Sequence, residues 1–565
     1  MAVYVPLPGS KKSLLPNSRS AGPVNQSELA SLTVRVRSAG DPKALEKRVY
    51  EQAAKPLAKR EYLTHEQLAE QHGASKEDLD KVEAFAQQHD LFVVHRSAAA
   101  RTIELRGTLA DLRAAFHADV GMYHHSTGTY RGRQGEIAVP QELAPIITGV
   151  FGFDTRPKHR AATRGRRSTP SRGEASGSSA ANRDRKAASA KGSAAAAGPG
   201  GQNGVAATEF ASRYHFPTQS NGTKLDGTGQ TIAIIELGGG YRTSDLKVFF
   251  NEIGVQTATV ASISVDRAGD KPTTADSADG EVMLDIEVAG AVAPNAKFAI
   301  YFAPNNGDKG FIDAISAAVH DTERKPGVMS ISWGGPEPAS NTDQMNINAF
   351  HELFVAAGAL GITVCIASGD HGTADLDGAH WDHKIHVDHP ACDDVVLGCG
   401  GTQIDNGSDV VWNDGTPFDP NTPGGGGWAS GGGISEVFPV PSYQTAANKI
   451  DSIDNGKPGR GVPDIAMSAT NYFTRVDRQE GASGGTSAVA PLMAALVALL
   501  NQAKQKNVGF LNPFLYSNVA KGVVHEVTSG TNAITNTVKG YDAGPGWNAC
   551  TGLGTPDGTA ILNNL

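Results

Sequence analysis

The stretch Thr155–Gly204 divides the chain, because nothing in it can build a core. Eleven Lys and Arg stand there against two acids, among Ser, Ala and Gly, with Arg164-Gly165-Arg166-Arg167 and Arg183-Asp184-Arg185-Lys186 as the densest runs. Such a composition buries too little apolar surface to offset the entropy of ordering, and it reads as a disordered basic linker, 155–204. The 565 residues are therefore expected to fold as separate units on either side, 1–154 and 205–565. Residues 1–204 carry 30 Lys and Arg against 20 Asp and Glu, and residues 205–565 carry 20 against 39. The two parts are electrostatic complements, so the first is expected to dock on the second. A nucleic-acid-binding tail would interleave aromatics with its cations, and Thr155–Gly204 has none, so no nucleic-acid partner is expected.

Before the linker, Leu32, Val34 and Val36 alternate as a strand and Thr102–Arg106 alternates again. Ser75 with Asp78 caps a helix turning Leu79, Val82, Phe85 and Ala86 inward, and Thr108 with Asp111 caps one carrying Leu109, Leu112 and Phe116. Two helices among several strands predict an α+β unit of the split β-α-β kind. After the linker, apolar strands at Thr231–Ile235, Lys297–Tyr301, Val328–Ser332 and Thr363–Ala367 alternate with helices at Gly280–Ala293, Phe311–His320 and Asp343–Gly358. That is the pattern of an α/β fold whose parallel sheet is covered on both faces. No stretch approaches the roughly 20 apolar residues of a membrane span, so no membrane partner is expected, and Met1–Gly22 lacks the apolar core of a standard signal peptide. Cys365, Cys392, Cys399 and Cys550 are too sparse for a disulfide framework; Cys392 and Cys399 could pair, which sequence leaves open.

Gly481–Pro491 presents one serine, Ser487, between a glycine-rich loop and an apolar helix. Small residues there admit a substrate backbone, and the helix N-terminus offers free N–H groups where an oxyanion would develop. A Ser-capped helix after a flexible loop would look the same, so the groups that could activate Ser487 decide the matter. Glu281 and Asp285 share one face of the helix Gly280–Ala293 with apolar flanks, where desolvation and like charge raise carboxyl pKa values and favour a shared proton. His371-Gly372-Thr373 offers a histidine instead, but it follows the strand Thr363–Ala367 and runs into a polar loop, so Asp370 is the residue retained.

These blocks, Glu281…Asp285, Ser368-Gly369-Asp370 and Ser483-Gly484-Gly485-Thr486-Ser487, agree in order with the sedolisins, or serine-carboxyl peptidases. From about Val205 to the C-terminus the chain resembles that family, most closely its kumamolisin-like branch. The resemblance implies a subtilisin-like catalytic domain (205–565) preceded by a ferredoxin-like activation prosegment (1–154), with the maturation site in the linker. It makes Ser487 the nucleophile, Glu281 the general base, Asp285 its orienting partner and Asp370 the oxyanion-hole donor, with Glu236 and Trp333 as supporting members of the network. A glutamate base and a carboxyl donor that must stay protonated imply action in acid. Asp388 aligns with a family aspartate at the S1 pocket and implies a preference for basic P1 residues. The C-terminal segment resembles the family's calcium site, with Glu526, Val527, Gly544, Gly546 and Asn548 as ligands; Glu526 and Asn548 stand where the family has aspartates.

The expected protein is thus a self-processing, acid-acting endopeptidase zymogen. Its partners are protein or peptide substrates and its own prosegment as an intramolecular inhibitor, and it is a monomer after maturation. An extracellular location is implied by the family alone. A tripeptidyl-peptidase of the same family and a non-catalytic peptide-binding relative are the alternatives.

Overall fold

A computed structural model describes residues 3–565 apart from 16–17, 126–127, 157–158, 162–163, 168–203, 276, 339–342, 377–381, 417, 420–425, 448–449 and 535–537. Most of the predicted disordered linker therefore lies outside the described residues.

In the N-terminal part, β1 (Leu29–Val36) is followed by helices α1 (Pro42–Ala53), α2 (His65–His72) and α3 (Lys76–Gln88). Then come β2 (Phe92–Ser97), β3 (Thr102–Thr108), α4 (Leu109–Phe116) and β4 (Ile147–Phe151). The strands form one antiparallel sheet in the order β2-β3-β1-β4, the β-α-β-β-α-β arrangement of a ferredoxin-like fold. Both predicted caps are present: Ser75 Oγ accepts from Asp78 N at 3.0 Å, and Thr108 Oγ1 from Asp111 N at 3.2 Å. Helices α1 and α2 went unforeseen, although Thr64 and Gln67 form a complete capping box at the start of α2.

The start of the linker is ordered, contrary to expectation. Arg160–Ala161 (β5) and Arg164–Arg167 (β6) are strands that pair with strands of the following domain. They need no core of their own because those strands supply the backbone hydrogen bonds.

After the linker, a sheet is built from β7 (Thr231–Glu236), β8 (Thr259–Ser264), β9 (Lys297–Phe302), β10 (Val328–Ile331), β12 (Thr363–Ala367), β14 (Leu397–Asp405), β15 (Ser408–Val411) and β16 (Ile465–Ser468). Its order is β8-β9-β7-β10-β12-β14-β15, with β16 also on β14, and every pairing is parallel except β14 with β15. Two short strands lie between sheet strands in sequence: β11 (Trp333–Pro336) and β13 (Asp388–His389), paired with each other. A hairpin of β17 (Tyr472–Val476) and β18 (Gln479–Gly484) precedes the last long helix.

Helices α5 (Asp279–Val292) and α8 (Thr486–Lys504) pack against one another, and α6 (Asp308–Val319) packs against α7 (Gln344–Ala359). The predicted helices α5, α6 and α7 match to within three residues at each end. Helix α8 is long and apolar enough to cross a membrane, which the sequence reading had overlooked; here it is the buried core helix of the domain. One hydrophobic cluster joins Leu45 and Val49 of α1 to Phe350, Leu353 and Phe354 of α7, so the prosegment shares a core with the domain it covers. All four cysteines are buried and unpaired, so Cys392 and Cys399 form no bridge.

Candidate active site

Gly485 caps α8 with φ at 112°, a conformation that favours glycine, and the turn places Ser487 on the first turn of the helix. Ser487 is fully buried, and its Oγ donates to the carbonyl of Ser332 at 3.4 Å. Glu281 and Asp285 project from α5, also fully buried. Ser332 Oγ lies 3.0 and 2.9 Å from the two carboxylate oxygens of Asp285. Trp333 Nε1 donates to Glu236 Oε2 at 3.0 Å, at the end of β7. The working ends of β7 and β10 and the start of α8 thus meet at one point, as open parallel sheets require.

No hydrogen bond joins Glu281 to Asp285. Both oxygens of Glu281 are buried, and the hydroxyls of Ser487 and Ser332 are the polar groups that act on them. The coupling is electrostatic. Burial pushes Glu281 well above the usual carboxylate range, and the charge of Asp285 adds to this, while the hydroxyls of Ser487 and Ser332 oppose it. Asp285 is raised by burial and then by Glu236, and Glu236 by burial and then by Glu281. Three carboxyl groups therefore lie in sequence with no cation among these causes. Ser332, given no role beforehand, is the hydroxyl that ties Asp285 to the Ser487 turn.

Asp370 follows β12 and turns one oxygen to the start of α8, accepting from Thr486 N and Thr486 Oγ1, both at 2.8 Å. His371 does not join Ser487. Its ring packs on Trp428 at 4.6 Å between centroids, and Gly372–Ala374 forms a single 3₁₀ turn.

Asp388 is buried on β13 and is joined by Asp375, which sequence inspection had passed over as part of a polar loop. Two glycines make room for them: a Cβ on Gly334 would lie 2.2 Å from Asp388 Oδ1, and one on Gly369 would lie 2.4 Å from Asp375 Oδ1. Burial raises both carboxyl groups well above their usual range; the charge of Asp388 adds to the rise of Asp375, and that of Asp370 to the rise of Asp388. Arg160 of the linker acts against this at Asp375.

The linker itself crosses this centre. Strand β5 runs antiparallel to β11, with Arg160 opposite Gly334 and Ala161 opposite Trp333. Strand β6 runs antiparallel to β18, with Arg164 opposite Gly484, three residues before Ser487. Paired residues share a sheet face, so Arg160 lies on the side of Gly334 that Asp388 occupies.

Of the expected calcium ligands, Val527, Gly544 and Asn548 do come together, but the amide of Asn548 fills the position between the two carbonyls. Glu526 is exposed. The donor set as it stands does not fit a calcium ion.

Comparison with known proteins gives the family. The chain is 42% identical over 574 residues to kumamolisin of Bacillus sp. (strain MN-32), covering 99% of this chain and 96% of that one. The chain belongs to the sedolisin family. Residues 16–156 match the pro-kumamolisin activation domain, and residues 254–541 match the subtilase family. Sedolisin of Pseudomonas sp. (strain 101) is 27% identical over 522 residues, covering 88% of this chain and 80% of its own. Human tripeptidyl-peptidase 1 is 29% identical over 385 residues, 64% of each chain. The crystal structure of Pseudomonas sedolisin, a serine-carboxyl proteinase complexed with pseudo-iodotyrostatin, superposes with a TM-score of 0.54 at 28% identity, over 64% of this chain and 98% of that one. This sedolisin is therefore a serine-carboxyl peptidase zymogen: a subtilisin-like domain, with its prosegment, that acts on peptides or proteins.

Proposed function

We propose that this sedolisin is an acid-acting endopeptidase that cuts its own linker first, with Ser487 as nucleophile and Glu281 as general base. The observation that carries the reading is the linker, extended on both sides of Ser487 like a bound substrate. On this reading Glu281 takes the Ser487 proton as Oγ attacks the carbonyl carbon, and returns it to the leaving amine. A glutamate whose pKa burial has raised is, once ionised, a stronger base than a free one. Asp285, fixed by Ser332, orients that base, and Glu236 with Trp333 completes the wall behind it. Asp370, at the N-terminus of α8, donates to the oxyanion while protonated, which is why the enzyme works in acid.

The first cut falls between Ala161 and Arg164, where the chain passes from β11 to β18; residues 162–163 lie outside the described ones. Asp388 and Asp375 receive a basic side chain of the substrate, Arg160 standing in for it here. Endopeptidase action is favoured over tripeptidyl release because the chain continues upstream of the crossing into the prosegment, whereas release of tripeptides needs a groove closed behind the third residue. A monomeric mature enzyme acting outside the cell belongs to the same proposal and rests on the family alone. Incubating the purified full-length chain at acid pH and sequencing the new N-termini tests the reading. A first cut outside Ala161–Arg164, or products that are only tripeptides, would overturn it.

A further inference from the structure

Asn548 ties together the turns of the C-terminal segment. Asn548 is 2% exposed, and its Nδ2 donates to the carbonyls of Val527 at 3.1 Å and Gly544 at 3.4 Å. Its Oδ1 accepts from Cys550 N at 3.1 Å, from Thr551 N at 3.0 Å and from Thr551 Oγ1 at 3.1 Å. Its backbone closes a turn with Gly552, N to O at 3.0 Å and back at 2.9 Å. Five side-chain contacts fix which end of the amide is which, since the reverse orientation would set the NH2 against two backbone N–H groups. The two carbonyls face hydrogens of the amide, and the side-chain oxygen of Asn548 is engaged on the other side.

Those two carbonyls belong to the set that the family resemblance offers to calcium. A calcium ion needs six to eight oxygen ligands, carboxylates prominent among them. Here one of the two acidic positions is a neutral amide and the other, Glu526, is exposed. We propose that the Asn548 side-chain amide replaces the cation, so that this segment is fastened by hydrogen bonds and the protein folds and stays folded without calcium. The inference rests on Asn548 and its neighbours, and only the choice of an uncut parent for its test rests on the reading of Ser487.

An aspartate at 548 would turn an acceptor toward two acceptors and bury a charge beside them, a defect that a cation could repair. The test uses the full-length Ser487→Ala chain, which removes the nucleophile so that self-cleavage does not blur the melting curves. Its unfolding midpoint should be the same in excess EDTA and in excess calcium chloride, and calorimetric titration with calcium should give no binding heat. Adding Asn548→Asp should lower the midpoint in EDTA by roughly 5 °C or more, with calcium restoring it. Asn548→Ala should fall similarly and stay low in calcium. A midpoint of the Asn548-containing chain that rises with calcium and falls with EDTA would overturn the proposal. So would an Asn548→Asp chain that melts like its parent in EDTA.

Discussion

Buried carboxylates in two regions of this protein end on opposite sides of the ordinary carboxylate range. Behind Ser487, Glu236, Asp285 and Glu281 meet an indole N–H, hydroxyls and one another but no cation among the causes of their shifts, and all three are pushed well above the carboxylate range. At the prosegment interface, burial pushes Glu352 the same way, but Arg101 at 2.6 Å and Arg35 at 3.3 Å outweigh it and hold the group below its ordinary value. Chemistry and burial are nearly matched, and the counter-charge decides the sign. The prosegment thus lends cations to the domain's surface acids and leaves the carboxylates behind Ser487 alone.

Acid acts on the groups at the prosegment interface in both directions. Because Glu352 is lowered in the docked state, its contribution to docking is complete above its ordinary pKa and is lost only as pH falls through the lowered one, below about 4.5. Asp313 runs the other way. Burial raises it to about 7 against the pull of Lys309, and Thr33 of the prosegment donates to it at 2.7 Å. A group raised in the docked state takes up a proton on docking, so acidification from pH 7 toward 4 favours docking at Asp313. Release is therefore expected late in the descent, where Glu352 protonates.

The most damaging test of the Ser487 centre is Ser487→Ala, which should abolish peptide hydrolysis and leave the full-length chain uncut at acid pH; processing of the purified variant at the parental rate would remove Ser487 from the mechanism. Glu281→Gln and Asp285→Asn should each cut turnover by about 10² or more, the usual contribution of a general base, measured on a peptide substrate. More than a tenth of parental turnover in either variant would break the contrast between the uncompensated carboxylates and the paired ones.

Asp388→Ala should lower the preference for Arg or Lys by at least about tenfold in kcat/KM, because a buried acid facing a basic side chain loses its charge. A scan of substrate positions with unchanged ranking would assign Asp388 to the loop alone. The smallest effect is expected at the interface: Glu352→Gln should weaken inhibition by residues 1–154 added in trans at pH 6 by several-fold, the scale of one ion pair. It should also flatten the loss of inhibition otherwise seen below about pH 4.5. Inhibition by the unaltered prosegment that grew stronger from pH 6 to pH 4 would show that Asp313, and not Glu352, sets the balance.

What was legible in the sequence was local. An apolar run placed Thr363–Ala367 to the residue, because a parallel strand covered on both faces is written as consecutive apolar positions. Ser75 and Thr108 announced their helices because a cap acts over three residues. Glu281, Asp285, Asp370 and Ser487 were singled out by motif, each within a short run of neighbouring residues. The charge complement between the two parts could be counted, and it reappears as Lys12 on Asp308 at 2.9 Å and Arg101 on Glu352.

Tertiary structure decided whatever depends on residues far apart in the chain. It set Asp388 against Gly334 and put Asp375 beside it, although neither approach leaves a periodic trace. It found strands in a linker whose composition promised none, because the missing hydrogen bonds come from β11 and β18. It turned the amide of Asn548, an expected metal ligand, onto the carbonyl of Val527, 21 residues away in the chain, as well as onto that of nearby Gly544. Periodicity and capping act within a turn or two of chain, whereas the sign of a buried charge and the partner of a buried amide depend on which distant segment packs against them.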